Sequence, residues 1–270
     1  MARRWTTAEE NSYRAELYQL YITKNKTIKE TGIALGLAEQ TVFKRLVRLG
    51  IPILPHLKPN YLRKKKNVVL PSRSECLAEF FGIMLGDGHI SHFQTVVTLG
   101  TKELEYVEYV SRIMQCLFDT AASISVRADG YRDVYIGSVI ITDWLKKEGL
   151  VSNKVAAQVG VPEWIFEKEV FMKNFVRGFF DTDGSVYKLK FGIQISFSNK
   201  SVPLLKAVHR MLVALKYRPS VVCGKSVYLT RRNDVGRFFE DIMPANNKHV
   251  RRFANIQKSV GTEVVKRDAL

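Results

Sequence analysis

The sequence predicts an α+β fold: a small all-α amino-terminal module followed by a duplicated α/β unit. Three observations carry that reading. Residues 80–88 read FFGIMLGDG and residues 176–184 read VRGFFDTDG, each an apolar run with Gly at its third place, a small residue four later and an Asp-Gly ending. Asp87 and Asp183 therefore lie 96 residues apart in matching contexts. The spacing persists downstream: Gly130 and Gly224 differ by 94, as do Asn153-Lys154 and Asn247-Lys248, which is how repeats without large insertions look. The first 50 residues carry neither motif and read as helices throughout.

Length and charge bound the function. A chain of 270 residues can bury a full core, in one large domain or two modest ones. No apolar run approaches the roughly 18 residues of a membrane span, and the MARRWTTAEEN amino terminus lacks the apolar core of a signal peptide. Cys76, Cys116 and Cys223 are scattered, odd in number and outside any metal-ligand spacing, so neither disulfides nor zinc are expected. An intracellular setting follows, in a bacterial or archaeal cytoplasm or an organelle. Forty-two Lys plus Arg against 26 Asp plus Glu give +16 and a pI near 9.8, the footprint of a protein with a polyanionic partner. No basic amphipathic helix stands apart from the globular pattern, so a membrane surface is not that partner.

Residues 1–51 form the predicted helical module. Thr6 with Glu9, and Thr27 with Glu30, match the capping box that starts a helix. Leu17, Leu20 and Tyr21 give a helical apolar face. From Glu30 to Gly50, Gly32, Gly36, Leu37, Val42, Leu46 and Leu49 fit two helices about a turn, with Gly36 free to take positive φ and Gly32 small enough for a close crossing. The segment resembles the helix-turn-helix of many bacterial and archaeal regulators and recombinases. It departs from them at Thr31, where a larger aliphatic is usual, and at Ala38, where a capping Ser is usual. The resemblance implies a second helix from near Glu39 that enters a major groove, with Gln40, Thr41, Lys44, Arg45 and Arg48 as its contacts. A helical bundle used for protein contacts is the competing reading.

Residues 52–73 read as a linker. Four of the eight prolines, Pro52, Pro55, Pro59 and Pro71, fall in this stretch and stiffen an extended chain. The run Arg63, Lys64, Lys65 and Lys66 suits a basic tether crossing phosphates, where each cation gains by displacing counterions. A solubilising run is the plain alternative, and a nuclear import signal has no other support.

Two repeats follow, over residues 74–169 and 170–270. In the first, an apolar helix ends at Asp87-Gly88, strand pattern runs to Leu99, a helix covers Lys102 to Phe118, and Ile124 to Gly137 gives two strands about a turn. The second repeats this order: a helix to Asp183-Gly184, strand pattern from Ser185 to Ser198, a helix from Val202 to Leu215, and two strands between Pro219 and Thr230. Ile193, Ile195 and Phe197 alternate with Gln194, Ser196 and Ser198, one face apolar and the other free to meet a partner.

The paired motifs carry the chemistry. Gly82 and Gly86, and likewise Gly178 and Thr182, place small residues on one helix face, so the two helices are expected to pack closely. Gly88 and Gly184 are expected to end them as left-handed caps. A carboxylate at a helix C-terminus meets the negative end of the dipole, at a cost of roughly 0.3–1 kcal/mol. Two such carboxylates side by side make sense around a hard divalent cation, and Mg²⁺ takes one or two carboxylates plus waters and phosphate oxygens. Phosphodiester hydrolysis uses such a metal to activate water and stabilise the leaving oxygen. An Asp-Gly turn alone is commonplace; its duplication at the end of two such helices is not.

FFGIMLGDG and VRGFFDTDG resemble the paired signatures of the LAGLIDADG homing endonucleases in their single-chain, two-repeat form. The likeness covers roughly residues 74–270. It implies a pseudo-twofold saddle of two α-β-β-α-β-β-α halves, each with a four-stranded sheet over the DNA major groove, in a monomer that is an internal pseudo-dimer. It also implies catalytic metal on the eighth motif residue, Asp87 and Asp183. Leu85 stands where the sixth-place Asp would be, whereas Asp181 holds that place in the second motif; the sixth residue is not the usual ligand. A basic residue from each half fits Lys154 and Lys248, placed to polarise water or stabilise a pentacovalent phosphate, or simply to touch phosphate. Asn199 occupies the place of a further polar active-site residue and Leu99 cannot, so the two strands are not expected to be cut at equal rates.

The expected activity is Mg²⁺-dependent double-strand cleavage of a long asymmetric DNA site. The polar strand faces supply DNA contacts: Gln94, Ser125, Arg127, Arg132 and Tyr135 in the first half, and Lys188, Lys190, Gln194, Ser196, Tyr228, Thr230, Arg231 and Arg232 in the second, with Arg and Gln suited to guanine and adenine. A maturase binding a structured intron RNA and a non-cleaving transcription regulator are the rival uses of the scaffold.

Overall fold

The computed structural model describes residues 6–54, 68–190 and 192–267. They divide into two compact units, residues 6–54 and 68–267. The basic run with Lys64 and Lys65, and most of the predicted linker, lie outside the described residues.

The first unit is helical. Helix α1 (Thr7–Tyr18) runs into a π-helical turn (Gln19–Thr23), followed by α2 (Ile28–Leu35) and α3 (Glu39–Arg48). Both capping boxes form: Thr6 and Thr27 accept from the Glu9 and Glu30 amides, and each glutamate accepts from the cap amide in return. Gly36 ends α2 at φ 62°. A Cβ on Gly32 would lie 2.6 Å from the Leu37 carbonyl oxygen, so the tight turn requires glycine there. Leu17, Tyr21, Val42, Leu46 and Ile51 form the core. Thr31 is fully buried with no hydrogen bond to its hydroxyl among the described residues, and Ala38 provides no side-chain cap to α3.

The second unit begins with α4 (Glu75–Leu85), capped by Ser74. Strands β1 (Gly88–Ile90) and β2 (Gln94–Leu99), helix α5 (Leu104–Phe118), strands β3 (Ser123–Val126) and β4 (Arg132–Gly137), and α6 (Val139–Lys147) complete the first half. A 3₁₀ turn (Glu163–Glu167) leads to α7 (Glu169–Asp183), then β5 (Gly184–Leu189), β6 (Gly192–Ser198), α8 (Val202–Ala214), β7 (Ser226–Leu229), α9 (Arg232–Asp241) and α10 (Asn247–Arg267). The sheets are antiparallel, ordered β1-β2-β4-β3 and β5-β6-β7. One continuous core joins both halves through α4 and α7.

Two expectations are corrected. The second sheet has three strands among the described residues, not four. Ser220 donates its amide to the Tyr228 carbonyl at 2.8 Å, but the Tyr228 amide turns to the Ser220 hydroxyl at 3.0 Å. That hydroxyl replaces the backbone acceptor, and Pro219 has no N–H, so the ladder stops short. Nor are Gly88 and Gly184 left-handed caps: Gly184 is extended, at φ −88° and ψ 160°, and Gly88 is absent from the positive-φ residues. Glycine is required there by crowding, since a Cβ on Gly88 would lie 2.5 Å from Met84 Cα, and one on Gly184 would overlap Phe180.

Candidate active site and nucleic-acid interface

The site begins with the contact of α4 and α7. A Cβ added to Gly82 would strike the backbone of Phe175 and Phe179, one on Gly178 would strike Glu79 and Ile83, and one on Gly86 would strike Thr182. Residue numbers rise together along both helices, so they run parallel and end at the same place. Asp183 is the last residue of α7, and Asp87 sits in the turn between α4 and β1. The small-residue pattern thus delivers both carboxylates to one end of the helix pair.

Burial dominates their electrostatics. It pushes Asp183 up to about 6, with the negative charge of Asp87 adding to the rise while the Asn199 amide, Lys154 and Lys248 oppose it. Asp87 is also raised by burial; Lys248 and Lys154 pull it back, and Glu103 pushes the other way. Asn199 Nδ2 donates to Asp183 Oδ2 at 2.6 Å, and its Oδ1 accepts from the Ser201 amide at 2.8 Å. No hydrogen bond reaches the Asp87 carboxylate among the described residues. Two half-buried oxygen-donor groups, one unsatisfied, fit a hard divalent cation that completes its shell with water and phosphate. No cluster of three or more His, Cys, Asp or Glu suited to a metal occurs among the described residues.

The two lysines are not equivalent. Lys154 Nζ donates to the carbonyls of Met84 (3.0 Å), Leu85 (3.2 Å) and Gly86. Its three donors are all used on the orphan carbonyls that end α4, which places a cation at the negative end of that helix dipole. Burial lowers its pKa, and Asp183 and Asp87 oppose the shift. Lys248 instead pairs with Glu103 Oε1 at 2.7 Å and is 42% exposed. Glu103 also accepts from the Gly100 amide and from Asn246 Nδ2; burial alone would raise it, but the bonds from Lys248 and Asn246 hold it below the usual range. The difference follows the sixth motif position. Asp181 accepts from the Ala245 and Asn246 amides at 2.9 and 3.1 Å and anchors the start of α10, which carries Lys248. Leu85 is fully buried and apolar at that place in the first half.

Sequence reasoning missed Glu103 and Asn246. They lie outside the motifs and touch the site only because α10 of the second half meets the start of α5 in the first. Their one sequence signal is an acidic residue next to a helix start, which is ordinary capping chemistry.

The sheet register sorts the residues expected from the sequence to contact DNA. Gln94, Ser125 and Tyr135 share the polar face of the first sheet with His89, Val96 and Asp133, around a concavity of about 250 Å³. Arg127 reaches that face and pairs with Asp133. Arg132 pairs in register with Leu99 and bonds the Thr101 and Gly130 carbonyls, so it belongs to the opposite face, being three residues from Tyr135 in a period-two strand. In the second sheet Gln194 and Tyr228 lie on the polar face with Tyr187. Lys188 has the parity of Val186 and belongs to the other face, and Lys190 follows the end of β5. Ser196 has the polar parity, yet between Ser185 and Tyr228 it is only 3% exposed. Thr230 follows β7, while Arg231 caps and Arg232 begins α9, so none of the three is a strand residue. In the first unit Gln40 and Lys44 are exposed on α3 and Thr41 is half-buried. Arg45 stacks over the Tyr13 ring at 4.8 Å and Arg48 pairs with Glu10 at 2.6 Å.

Fold and site together define a two-repeat α+β protein whose paired helices bring two carboxylates and two lysines into one neighbourhood. Residues 171–243 match the LAGLIDADG-like domain. The chain is 22% identical over 191 residues to the replication factor C small subunit of Methanocaldococcus jannaschii, covering 68% of this chain and 10% of that protein; the chain thus spans about a tenth of the relative's length. Among solved structures it is similar to I-DmoI in complex with DNA and Mn, at 18% identity and TM-score 0.48, covering 62% of this chain and 96% of that one. It is also similar to the N-terminal LAGLIDADG domain of DUF199/WhiA, at 16% identity and TM-score 0.46, covering 65% and 86%. Among the described residues no helix is long and apolar enough to cross a membrane.

Proposed function

We propose that this chain is a site-specific DNA endonuclease that hydrolyses a phosphodiester in each strand of a long duplex target, with Mg²⁺ as its metal. The observation that carries the reading is the convergence of Asp87 and Asp183 at the ends of two parallel helices. Both carboxylates act as metal ligands in this reading. When bound, the metal supplies a Lewis acid for the phosphate and a water of lowered pKa. Lys154 provides a fixed positive charge beneath both carboxylates and eases their ionisation. Having spent its donors on α4, it acts by charge rather than as a proton donor. Asn199 fixes the orientation of Asp183 through one oxygen. Lys248, more exposed, is the ammonium available to phosphate, and Glu103 holds it in place. The net charge of +16 supports a polyanionic duplex as partner.

The test is cleavage of a plasmid library carrying random inserts, with Mg²⁺ or with EDTA, the ends mapped by sequencing. Breaks at one recurrent sequence are expected, dependent on Mg²⁺ and lost in Asp87→Asn and Asp183→Asn, while both variants still bind duplex in Ca²⁺. Duplex binding without any Mg²⁺-dependent break would replace this reading with a non-cleaving regulator. Preference for structured RNA over duplex, without cleavage, would replace it with a maturase.

A further inference from the structure

Arg127 is held in a closed triangle on the polar face of the first sheet. Its Nε donates to Asp133 Oδ2 at 2.7 Å, and its Nη2 donates to Thr98 Oγ1 at 3.1 Å. Thr98 Oγ1 in turn donates to Asp133 Oδ1 at 2.7 Å. Thr98 and Asp133 are register partners across β2 and β4, and Ser125 of β3 pairs with Asp133. The triangle is therefore built on β2, β4 and the residue that directly follows β3. Asp133 is 18% exposed and Arg127 is 45% exposed, so the carboxylate is sunk into the sheet and the guanidinium stands above it.

An isolated surface ion pair contributes little to stability, so the geometry calls for another reason. A guanidinium has five N–H donors in a rigid plane. Asp133 and Thr98 consume two of them on one edge. Both Nη1 donors and one Nη2 donor remain, directed away from the sheet. That leaves a two-pronged fork with its rotamer and plane already fixed. Adjacent donors in a plane match the O6 and N7 acceptors that guanine alone presents side by side in the major groove. A phosphate contact would need the charge but not the fixed plane.

We propose that Arg127 reads a guanine in the target duplex, and that Asp133 and Thr98 are its positioning residues. The inference rests on the duplex-binding reading above. It assigns to Asp133, an acidic group on a surface that meets a polyanion, the role of setting base preference rather than binding strength.

The experiment is selection of duplexes from a pool of randomised DNA in Ca²⁺, using the full chain. Wild type, Arg127→Ala, Asp133→Asn and Thr98→Val are compared position by position. The expected result is one guanine position whose preference falls about tenfold or more in Arg127→Ala and partly in the two positioning variants, other positions being unchanged. Thermal melting identifies any variant that fails to fold, and Thr98→Val, being nearly isosteric, retains the fold. A uniform loss of affinity in Arg127→Ala, with a salt slope lower by about one and base preferences intact, would make Arg127 a phosphate contact and overturn the proposal. Selection of no duplex by wild type would overturn the duplex-binding reading along with it.

Discussion

The Asn199 amide donates to Asp183 at 2.6 Å, whereas Leu99, at the corresponding end of β2, is 1% exposed in the core and has nothing to donate. The two carboxylates of a pseudo-symmetric pair thus live in unequal surroundings. Asn199 opposes the burial that raises Asp183.

Replacing Asn199 by Leu is expected to raise the Asp183 pKa above about 6, because the opposing hydrogen bond is removed while the burial stays. A proton competes with a cation for this carboxylate, so divalent affinity weakens as pH falls through the pKa. The acid limb of Mn²⁺ or Mg²⁺ binding, followed calorimetrically from pH 5 to 8, is expected to move to higher pH in Asn199→Leu. An unchanged limb would mean that Asp183 does not bind the metal.

Asp183→Asn is expected to stabilise the metal-free protein at neutral pH. A carboxyl raised to about 6 from the ordinary value of 3.8 binds its proton more tightly when folded than unfolded. Its contribution is fully present below pH 4 and is lost as pH rises through about 6, a penalty on the order of 3 kcal/mol. The melting-temperature gain of the Asn variant is therefore expected at pH 7 and is expected to shrink towards pH 4. A gain independent of pH would assign it to packing instead.

The lysines are expected to separate in stability. Lys154→Met leaves three carbonyls of the α4 end without their cation, and a cost of about 2–4 kcal/mol is expected. Lys248→Met breaks one partly exposed ion pair, and about 1 kcal/mol or less is expected. Urea midpoints measure both. Equal losses would contradict the distinct roles that the geometry gives them.

That distinction was the part of the site least legible in the sequence. The Asp pair could be read because its duplication, spacing and flanking glycines are local signals, and the helix contact follows from small residues four apart. The two Asn-Lys pairs looked equivalent for the same reason. Their geometry diverges because Asp181, buried on α7, binds the Ala245 and Asn246 amides and brings the α10 start against Glu103. No spacing rule reveals a contact between residues more than sixty positions apart. Strand faces failed where parity was ignored, as at Arg132 and Lys188, and at Ser196, whose parity is polar but whose neighbours cover it. The helical first unit was legible down to its caps, since each capping box is a four-residue signal.

Gly178→Ala is expected to disrupt the chain far more than an ordinary helix substitution. Alanine normally favours a helix by about 1 kcal/mol over glycine. Here the new methyl would meet the Glu79 backbone and lie 3.0 Å from the Ile83 amide nitrogen, and backbone cannot yield as a side chain can. Forcing α4 and α7 apart opens the fully buried Phe80, Phe175 and Phe179 and separates Asp87 from Asp183. A loss of about 3 kcal/mol or more is expected in denaturant melts, with Gly236→Ala on α9, where a Cβ meets nothing within 4 Å, as the control that is neutral or stabilising.

Removing residues 1–66 is expected to leave a folded second unit that still cuts. Both motif helices, both sheets and the continuous core belong to that unit, and the first unit has its own separate core. More than half of the net positive charge goes with the deleted segment. Every phosphate left without its Lys or Arg keeps about one condensed counterion that binding would otherwise release. Duplex affinity is therefore expected to fall, and the plot of log K against log salt to become shallower. On α3, Arg48 already pairs with Glu10 of α1, so among the predicted contacts of that helix Lys44 is expected to contribute more to the change than Arg48, alongside the basic run at residues 63–66. Restoring 52–66 alone, without the helices, is expected to recover part of the salt slope but none of the base preference that Gln40 and Lys44 would impose. Recovery of the full preference by that short segment would remove the helical unit from target recognition.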